Sequence, residues 1–144
     1  MDPLDIDIIK LLQEDGRMSI SELSKHLALS RPSVTERMKR LQEKGVIEGF
    51  SAKVSPTSVG KKLVIMIELS ELRVSHYEFE KIIKDEPKVL ECYRATGHVH
   101  YYIKAALKEM DELTELIERL IPYGHTKTSI LLATPVVSRV ILPD

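Results

Sequence analysis

The sequence predicts an α+β protein in two parts: a bundle of three short helices, then a segment in which strands alternate with helices. Two observations carry this prediction. Apolar residues recur every three or four positions in the first third of the chain, whereas β-branched runs mark the remainder. A turn-rich segment, SPTSVG, separates the two patterns. The predicted domains are residues 1–47 and 61–144, with a strand and linker at residues 48–60.

Composition favours a soluble protein of the cytoplasm. The 144 residues are 43% apolar and 30% charged, which is ordinary for a globular protein. The single cysteine, Cys92, excludes an internal disulfide and is typical of a reducing compartment. No apolar run approaches the roughly 18 residues of a membrane span, and the acidic start, MDPLDIDIIK, is unlike a secretory signal.

Local capping signals place the first two helices. Asp2 is a suitable N-cap for a helix from about Pro3 to Glu14. Ser19 and Glu22 match the S-x-x-E capping box and open a helix of about two turns. Only residues 28–30 then remain for a turn before the next helix begins.

The third helix is marked at both ends, by Ser30 and Pro32 at its start and by Gly45 after its last turn. Two short helices joined by a tight turn form the helix-turn-helix arrangement, which places its second helix in the major groove of double-stranded DNA. A helical hairpin with a solvated charged face is the alternative. The apolar stripe predicted to pack inward is Val34, Met38 and Leu41.

Positive charge concentrates on this helix although the net charge of the chain is -1. Arg37 and Arg40 are expected to project from its exposed face, and one of them is expected to read a base, because arginine can bond bidentately. Ser33 is predicted to face outward and Thr35 to lie at the side, while the lysines approach phosphates. The predicted DNA-contacting residues are Arg31, Pro32, Ser33, Glu36, Arg37, Lys39, Arg40 and Lys44.

The second part is predicted to run strand, helix, strand, strand, helix, strand, which is the ferredoxin-like βαββαβ order. A capping box at Ser75 and Glu78 opens the first of its helices. The predicted strands are residues 63–69, 89–95, 99–107 and 128–137, and a further short strand is expected at residues 46–54. Both helices would cover one face of the sheet. The other face is expected to be apolar, which favours sheet-to-sheet dimerisation, with cover by the N-terminal domain as the alternative.

Several segments resemble the Lrp/AsnC (feast/famine) family of transcriptional regulators. They are Asp5-x-Asp7-x-Ile9, DGRMSISELSKHLALSRPSVTERMKRLQEKGVI, Gly60 and ATGHVHYYIK. SRPSVTERMKRLQ, CYRATG and IPYGHTKT are similar to a Bacillus-type branch of that family. The resemblance implies a DNA-binding helix-turn-helix, a linking strand that pairs between protomers, a ferredoxin-like regulatory domain, and homodimers that often assemble into octamers.

The resemblance also implies that an amino acid or similar small effector binds between dimers, near the strand-turn-strand. Many relatives carry an aspartate where this chain has His100, and an imidazole cannot supply a fixed negative charge for an ammonium group. Either the effector differs, backbone carbonyls meet its amine, or this chain binds no amino acid. The implied effector-binding residues are Thr96, Gly97, His98, His100, Tyr102, Thr126 and Thr128.

His98 and His100 also raise the question of a metal, because residues two apart on a strand share a face and Cys92 lies on the neighbouring predicted strand. A polar interface or pocket is preferred, and neither a metal nor another cofactor is predicted. No P-loop, G-x-G-x-x-G, G-x-S-x-G or H-E-x-x-H motif occurs, so an enzyme is not expected. Two rival functions stay open, an architectural DNA-wrapping protein without an effector and a small-molecule or metal-binding module.

Overall fold

The computed structural model describes all 144 residues and contains five α-helices and one four-stranded sheet. The chain divides into two compact units. The first comprises Met1–Lys53 together with Val136–Asp144, and the second comprises Val54–Pro135. A membrane-crossing helix is absent, since none of the helices is both long enough and apolar enough.

Three helices form the first unit at the predicted positions: α1 is Pro3–Glu14, α2 is Ile20–Leu27 and α3 is Arg31–Glu43. Each has a side-chain N-cap, because the side chains of Asp2, Ser19 and Ser30 accept hydrogen bonds from backbone N–H groups of the first turns. The helices enclose one small core of buried residues, Ile8, Ile9, Leu12, Leu23, Val34 and Leu41.

The rest of the first unit consists of an arm, residues 46–53, and a tail, Val136–Asp144, and neither contains a helix or strand. The strand predicted at residues 46–54 is therefore wrong for the single chain, in which this segment pairs with no strand. Gln13 of α1 fastens the tail: its Nε2 donates to the Ile141 carbonyl at 2.8 Å, and the Ile141 N–H donates to its Oε1 at 3.0 Å. A cavity of about 520 Å³ lies beside this contact, lined mainly by Ile9, Leu12, Val46, Phe50, Ile141 and Leu142.

The second unit confirms the predicted βαββαβ order. Its elements are β1 Leu63–Ser70, α4 His76–Lys84, β2 Val89–Arg94, β3 Val99–Leu107, α5 Met110–Leu120 and β4 His125–Ile130. The sheet order is β2-β3-β1-β4 with every neighbouring pair antiparallel. Both helices pack on one face, where their side chains join alternate residues of β1 and β3 in a core that includes Ile65, Ile67, Phe79, Ile83, Ile103, Leu116 and Leu120.

Three predictions for the second part of the chain differ from the structure. β4 begins at His125 and ends at Ile130, not at residues 128–137, because its pairing with β1 ends at the Ile65–Ile130 pair. Residues beyond Pro135 belong to the first unit, although the sequence placed them in the second domain. At α4, the Ser75 hydroxyl accepts the Glu78 N–H at 3.1 Å, but the return bond of a full capping box is not formed.

The face of the sheet opposite the helices, here called the open face, is less apolar than predicted. Two ion pairs cross it, Lys104 to Glu91 at 3.2 Å and Lys127 to Glu68 at 3.7 Å. Each pair joins one positive and one negative side chain, so the pairs add no net charge to the open face. The rest of this face includes an apolar strip. That strip consists of Val64, Met66 and Ala106.

Candidate functional site

The outer surface of α3 is positively charged and accessible. Val34 and Leu41 are buried, so the opposite side of the helix meets solvent. Thr35 lies on this accessible side, with its hydroxyl donating to the Arg31 carbonyl at 2.9 Å, whereas Ser33 is only half-exposed; the sequence predicted the reverse. The predicted DNA-contacting residues that are exposed are Arg31, Pro32, Glu36, Lys39 and Lys44.

Arg37 does not project from the exposed face, so that prediction is wrong. Its Nη1 donates to an Asp2 carboxylate oxygen at 2.5 Å and to an Asp5 oxygen at 2.7 Å, and only 20% of its side chain is exposed. The physical reason is angular: at 100° per residue, position 37 lies about 40° from the buried Leu41 around the helix. Arg37 therefore faces the start of α1.

Arg40 is held through a single nitrogen of its guanidinium. Its Nη2 donates to both carboxylate oxygens of Asp5, at 3.1 Å each, and 43% of its side chain remains exposed. Nη1 and Nε take no part in that contact and keep their donors for another partner. Neighbouring Lys39 makes only an exposed pair with Glu43 at 3.7 Å, which restrains it weakly.

We call Asp2, Asp5, Arg37 and Arg40 the N-terminal ion cluster. Asp5 is 4% exposed, and burial alone would raise its pKa, but hydrogen bonds from Arg37 and the Asp2 N–H, with the Arg40 charge, lower the pKa below its usual value. The Arg37 hydrogen bond also lowers the pKa of Asp2. Sequence reasoning missed this cluster. The sequence did contain one signal: Asp2 and Asp5, at the start of α1, are three residues apart, and so are Arg37 and Arg40 in α3.

A second group of predicted residues lies at the turn between β2 and β3. Thr96, Gly97 and His98 are exposed there, and Gly97 has the positive φ of 98° that favours glycine. His98 precedes β3, so it does not share a strand face with His100 as predicted. The pairing of β1 with β3 passes from Leu69–Tyr101 to Ser70–Val99, which leaves His100 as the extra residue of a β-bulge.

The bulge brings His100 near α4, where its ring centroid lies 5.7 Å from that of His76. His76 Nδ1 is 2.8 Å from the Tyr101 hydroxyl, which donates to Glu80 at 2.9 Å. Because that hydroxyl has one proton and gives it to a carboxylate, His76 Nδ1–H is the donor in the other bond. Burial raises the pKa of Tyr101 to about 12, and Glu80 adds to the effect. No three His, Cys, Asp or Glu side chains converge as metal ligands.

Cys92 lies on β2 and packs against the core of the second unit. Burial raises the pKa of its thiol to about 11, with a smaller contribution from the charge of Glu80. The group is therefore protonated at neutral pH and is a poor nucleophile.

The remaining effector-binding residues implied by the resemblance lie on two different faces of the sheet. Tyr102 is paired with Glu68 on the open face. Thr126 and Thr128 are paired with Leu69 and with a buried isoleucine of β1, so they belong to the face that the helices cover. Within one chain these residues do not form a single pocket.

Two family models match this chain. Winged helix-turn-helix DNA-binding matches residues 1–48, and the Lrp/AsnC ligand binding domain matches residues 62–141. Together they cover both compact units except for short segments.

Individual relatives agree with both models. The chain is 29% identical to the transcriptional regulator LrpC of Bacillus subtilis over 131 residues, 91% of each protein, and a solved structure of LrpC superposes with a TM-score of 0.88 over 96% of this chain and 99% of that one. It is 32% identical to the leucine-responsive regulatory protein of Haemophilus influenzae over 120 residues, 81% of this chain and 72% of the relative. A transcriptional regulator of Neisseria meningitidis in complex with L-methionine is 26% identical, with a TM-score of 0.88 over 98% of this chain and 96% of that one.

Proposed function

Since the chain belongs to the Lrp/AsnC family of DNA-binding transcriptional regulators, we propose that α3 reads double-stranded DNA with sequence preference and that residues 61–144 bind an amino-acid effector and form the oligomer. Residues 1–47 are the proposed DNA-binding domain. The relatives are named as regulators, and the protein is not an enzyme. Chromosomal DNA as the partner assigns the protein to the cytoplasm.

The accessible cations of α3 are the observation that carries the DNA-binding surface. Arg31 and Lys39 are both exposed, Arg31 in the first turn of the helix and Lys39 on the side opposite its buried residues. Arg40 adds the Nη1 and Nε donors of its guanidinium, which can each hydrogen-bond a guanine acceptor or a phosphate oxygen. Arg37 is assigned to the ion cluster and not to base reading. Ser33, Pro32, Glu36 and Lys44 complete the proposed surface.

Binding to the protein's own upstream DNA and to scrambled DNA, measured by fluorescence anisotropy at several salt concentrations, tests this surface. Arg31→Ala and Lys39→Ala should each weaken binding and lower the log–log salt slope by about 0.9 for each phosphate that the variant no longer neutralises. Lys81→Ala is the matched control, because it removes one exposed cation from α4. If the control weakens binding as much as the α3 variants do, the proposed surface is wrong.

The proposed effector is an amino acid with an apolar side chain, such as methionine. Support comes from the ligand-binding-domain match over residues 62–141 and from the L-methionine bound to the Neisseria regulator. We assign the site to Thr96, Gly97, His98, His100 and Tyr102 of one chain, with Thr126 and Thr128 supplied by another copy, because one chain places Tyr102 and the two threonines on opposite faces.

Calorimetric titration with each of the twenty amino acids tests the effector proposal. One of them should bind and shift DNA affinity, and His100→Ala should change that binding while His26→Ala, a substitution in α2, should not. Binding of none, together with equal affinity for upstream and scrambled DNA, would favour the architectural DNA-wrapping protein. The separation of the effector residues within one chain is the observation in favour of that second candidate.

We also propose homodimers that meet through the open face and assemble further, up to octamers. The neutralised ion pairs and the apolar strip of this face suit contact with a second copy. Met66→Glu, which places a charge in the strip, should reduce the mass measured by light scattering. Met110→Glu is the control, because Met110 is 54% exposed at the start of α5. An unchanged mass for Met66→Glu would remove the open face from the interface.

A further inference from the structure

Asp5 joins the start of α1 to the DNA-binding helix. Its carboxylate contacts both Arg37 and Arg40, and one of its oxygens also accepts the Asp2 N–H at 3.4 Å. The Asp5 N–H in turn donates to Asp2 at 2.9 Å, so the capping box of α1 and the ion cluster share the same two carboxylates. The position of α1 and the orientation of two arginines on α3 are thus set by one buried acid.

The two arginines of this cluster differ in their number of carboxylate partners and in their exposure. Arg37 has two carboxylate partners, and its side chain is largely covered. Arg40 has one carboxylate partner, which it contacts through Nη2 alone, and 43% of its side chain stays exposed. An arginine side chain normally loses considerable rotamer freedom when it binds, so an arginine already fixed by a buried partner loses less.

We propose that Asp5 is a positioning residue for sequence-specific DNA recognition. It holds Arg40 through Nη2 with the Nη1 and Nε donors left for DNA, and with Asp2 it keeps the charge of Arg37 away from DNA. Removing the Asp5 charge frees Arg40 and leaves Arg37 with Asp2 as its one carboxylate partner, so the two arginines are less restrained from contacting phosphates, whose contacts carry no sequence information. Asp5 therefore raises discrimination between sequences and lowers general affinity. This inference rests on the proposed DNA-binding surface of α3.

Asp5→Asn and Asp7→Asn provide a matched test. Both substitutions remove one negative charge from α1, but Asp7 is exposed and forms no ion pair. Affinity for upstream and scrambled DNA is measured at four salt concentrations. For Asp5→Asn we expect the ratio of the two affinities to fall about tenfold, as when a single base-reading side chain is removed. Asp5→Asn should bind scrambled DNA at least as tightly as Asp7→Asn does. Its log–log salt slope should be steeper by about the amount of one phosphate contact.

A merely structural role predicts another pattern, in which Asp5→Asn lowers both affinities together without a steeper salt slope. That result, or an equal change in the ratio for Asp7→Asn, would overturn the proposal. A wild-type protein that binds both DNAs equally would instead refute the proposed function itself. Retention of the wild-type ratio by Asp5→Asn would refute only the role of Asp5.

Asp2→Ser decides the question if Asp5→Asn does not fold. Serine keeps an N-cap oxygen for α1 but removes one carboxylate from Arg37, and it leaves the pair between Asp5 and Arg40 intact. Scrambled DNA should then bind more tightly while upstream DNA binds as before. Unchanged affinity for scrambled DNA would show that the cluster does not restrain Arg37, and the proposal would fail.

Discussion

Gly124→Ala should destabilise the second unit through a single steric contact. Gly124 directly precedes β4, and a Cβ atom at this position would lie 2.5 Å from the Ser70 carbonyl oxygen and 3.0 Å from a methyl carbon of Leu69. Its φ of 166° is extended and open to any residue, so the cost arises from the contact alone. Ser70 is paired with His125, and its carbonyl cannot move aside without disturbing β1 and β4. Overpacking of this kind costs about 1–3 kcal/mol.

Tyrosine fluorescence isolates this effect because the chain has no tryptophan and all five tyrosines lie within Val54–Pro135. With a urea m-value of about 1 kcal/mol/M for so small a unit, the unfolding midpoint should fall by about 1–3 M at equal protein concentration. Gly49→Ala, where a Cβ meets no atom within 4 Å, is the control for an added methyl group and should leave helix unfolding, followed by circular dichroism, unchanged. A midpoint for Gly124→Ala within error of wild type would refute the close packing of β4 on β1.

Cys92 should react with a disulfide reagent at pH 8 far more slowly than a free thiol, because its pKa of about 11 leaves little thiolate; urea should restore the ordinary rate. The lowered pKa values of Asp2 and Asp5 stabilise the first unit fully above the unfolded value near pH 4, and this stabilisation is lost as pH falls below it. The free energy of unfolding, followed by helical circular dichroism, should thus fall in acid. In Asp5→Asn it should fall less steeply with pH. Tyr101→Phe removes the hydroxyl between His76 and a carboxylate and should cost about 1 kcal/mol, measured by urea unfolding.

The first unit was the most predictable part of the chain because its helix ends are set by neighbouring residues. Asp2, Ser19 and Ser30 each cap a helix through a backbone group three positions away, so the signal lies within one short segment. The order of the sheet was predictable for a related reason. Apolar runs and two helical patterns define six elements, and few topologies connect them.

Several of the wrong predictions depend on a partner distant in sequence. The side of α3 that carries Arg37 could be estimated, but its carboxylate partners lie on α1, more than thirty residues earlier. The end of β4 is set by its pairing with β1, and the orientation of His100 is set by a bulge in the pairing of β1 with β3. Periodicity describes one segment at a time, and it contains no information on register between segments.

The two hydrogen bonds between Gln13 and the tail determine which substitutions the tail tolerates at this contact. Both hydrogen bonds go to the backbone of residue 141, and neither involves the isoleucine side chain. These two bonds therefore place no requirement on the side chain of residue 141, except that proline is excluded because it has no N–H to donate. Insertions or deletions earlier in the tail are a different matter, since each changes which residue reaches the amide. For these two bonds, the length of the tail matters more than the identity of residue 141.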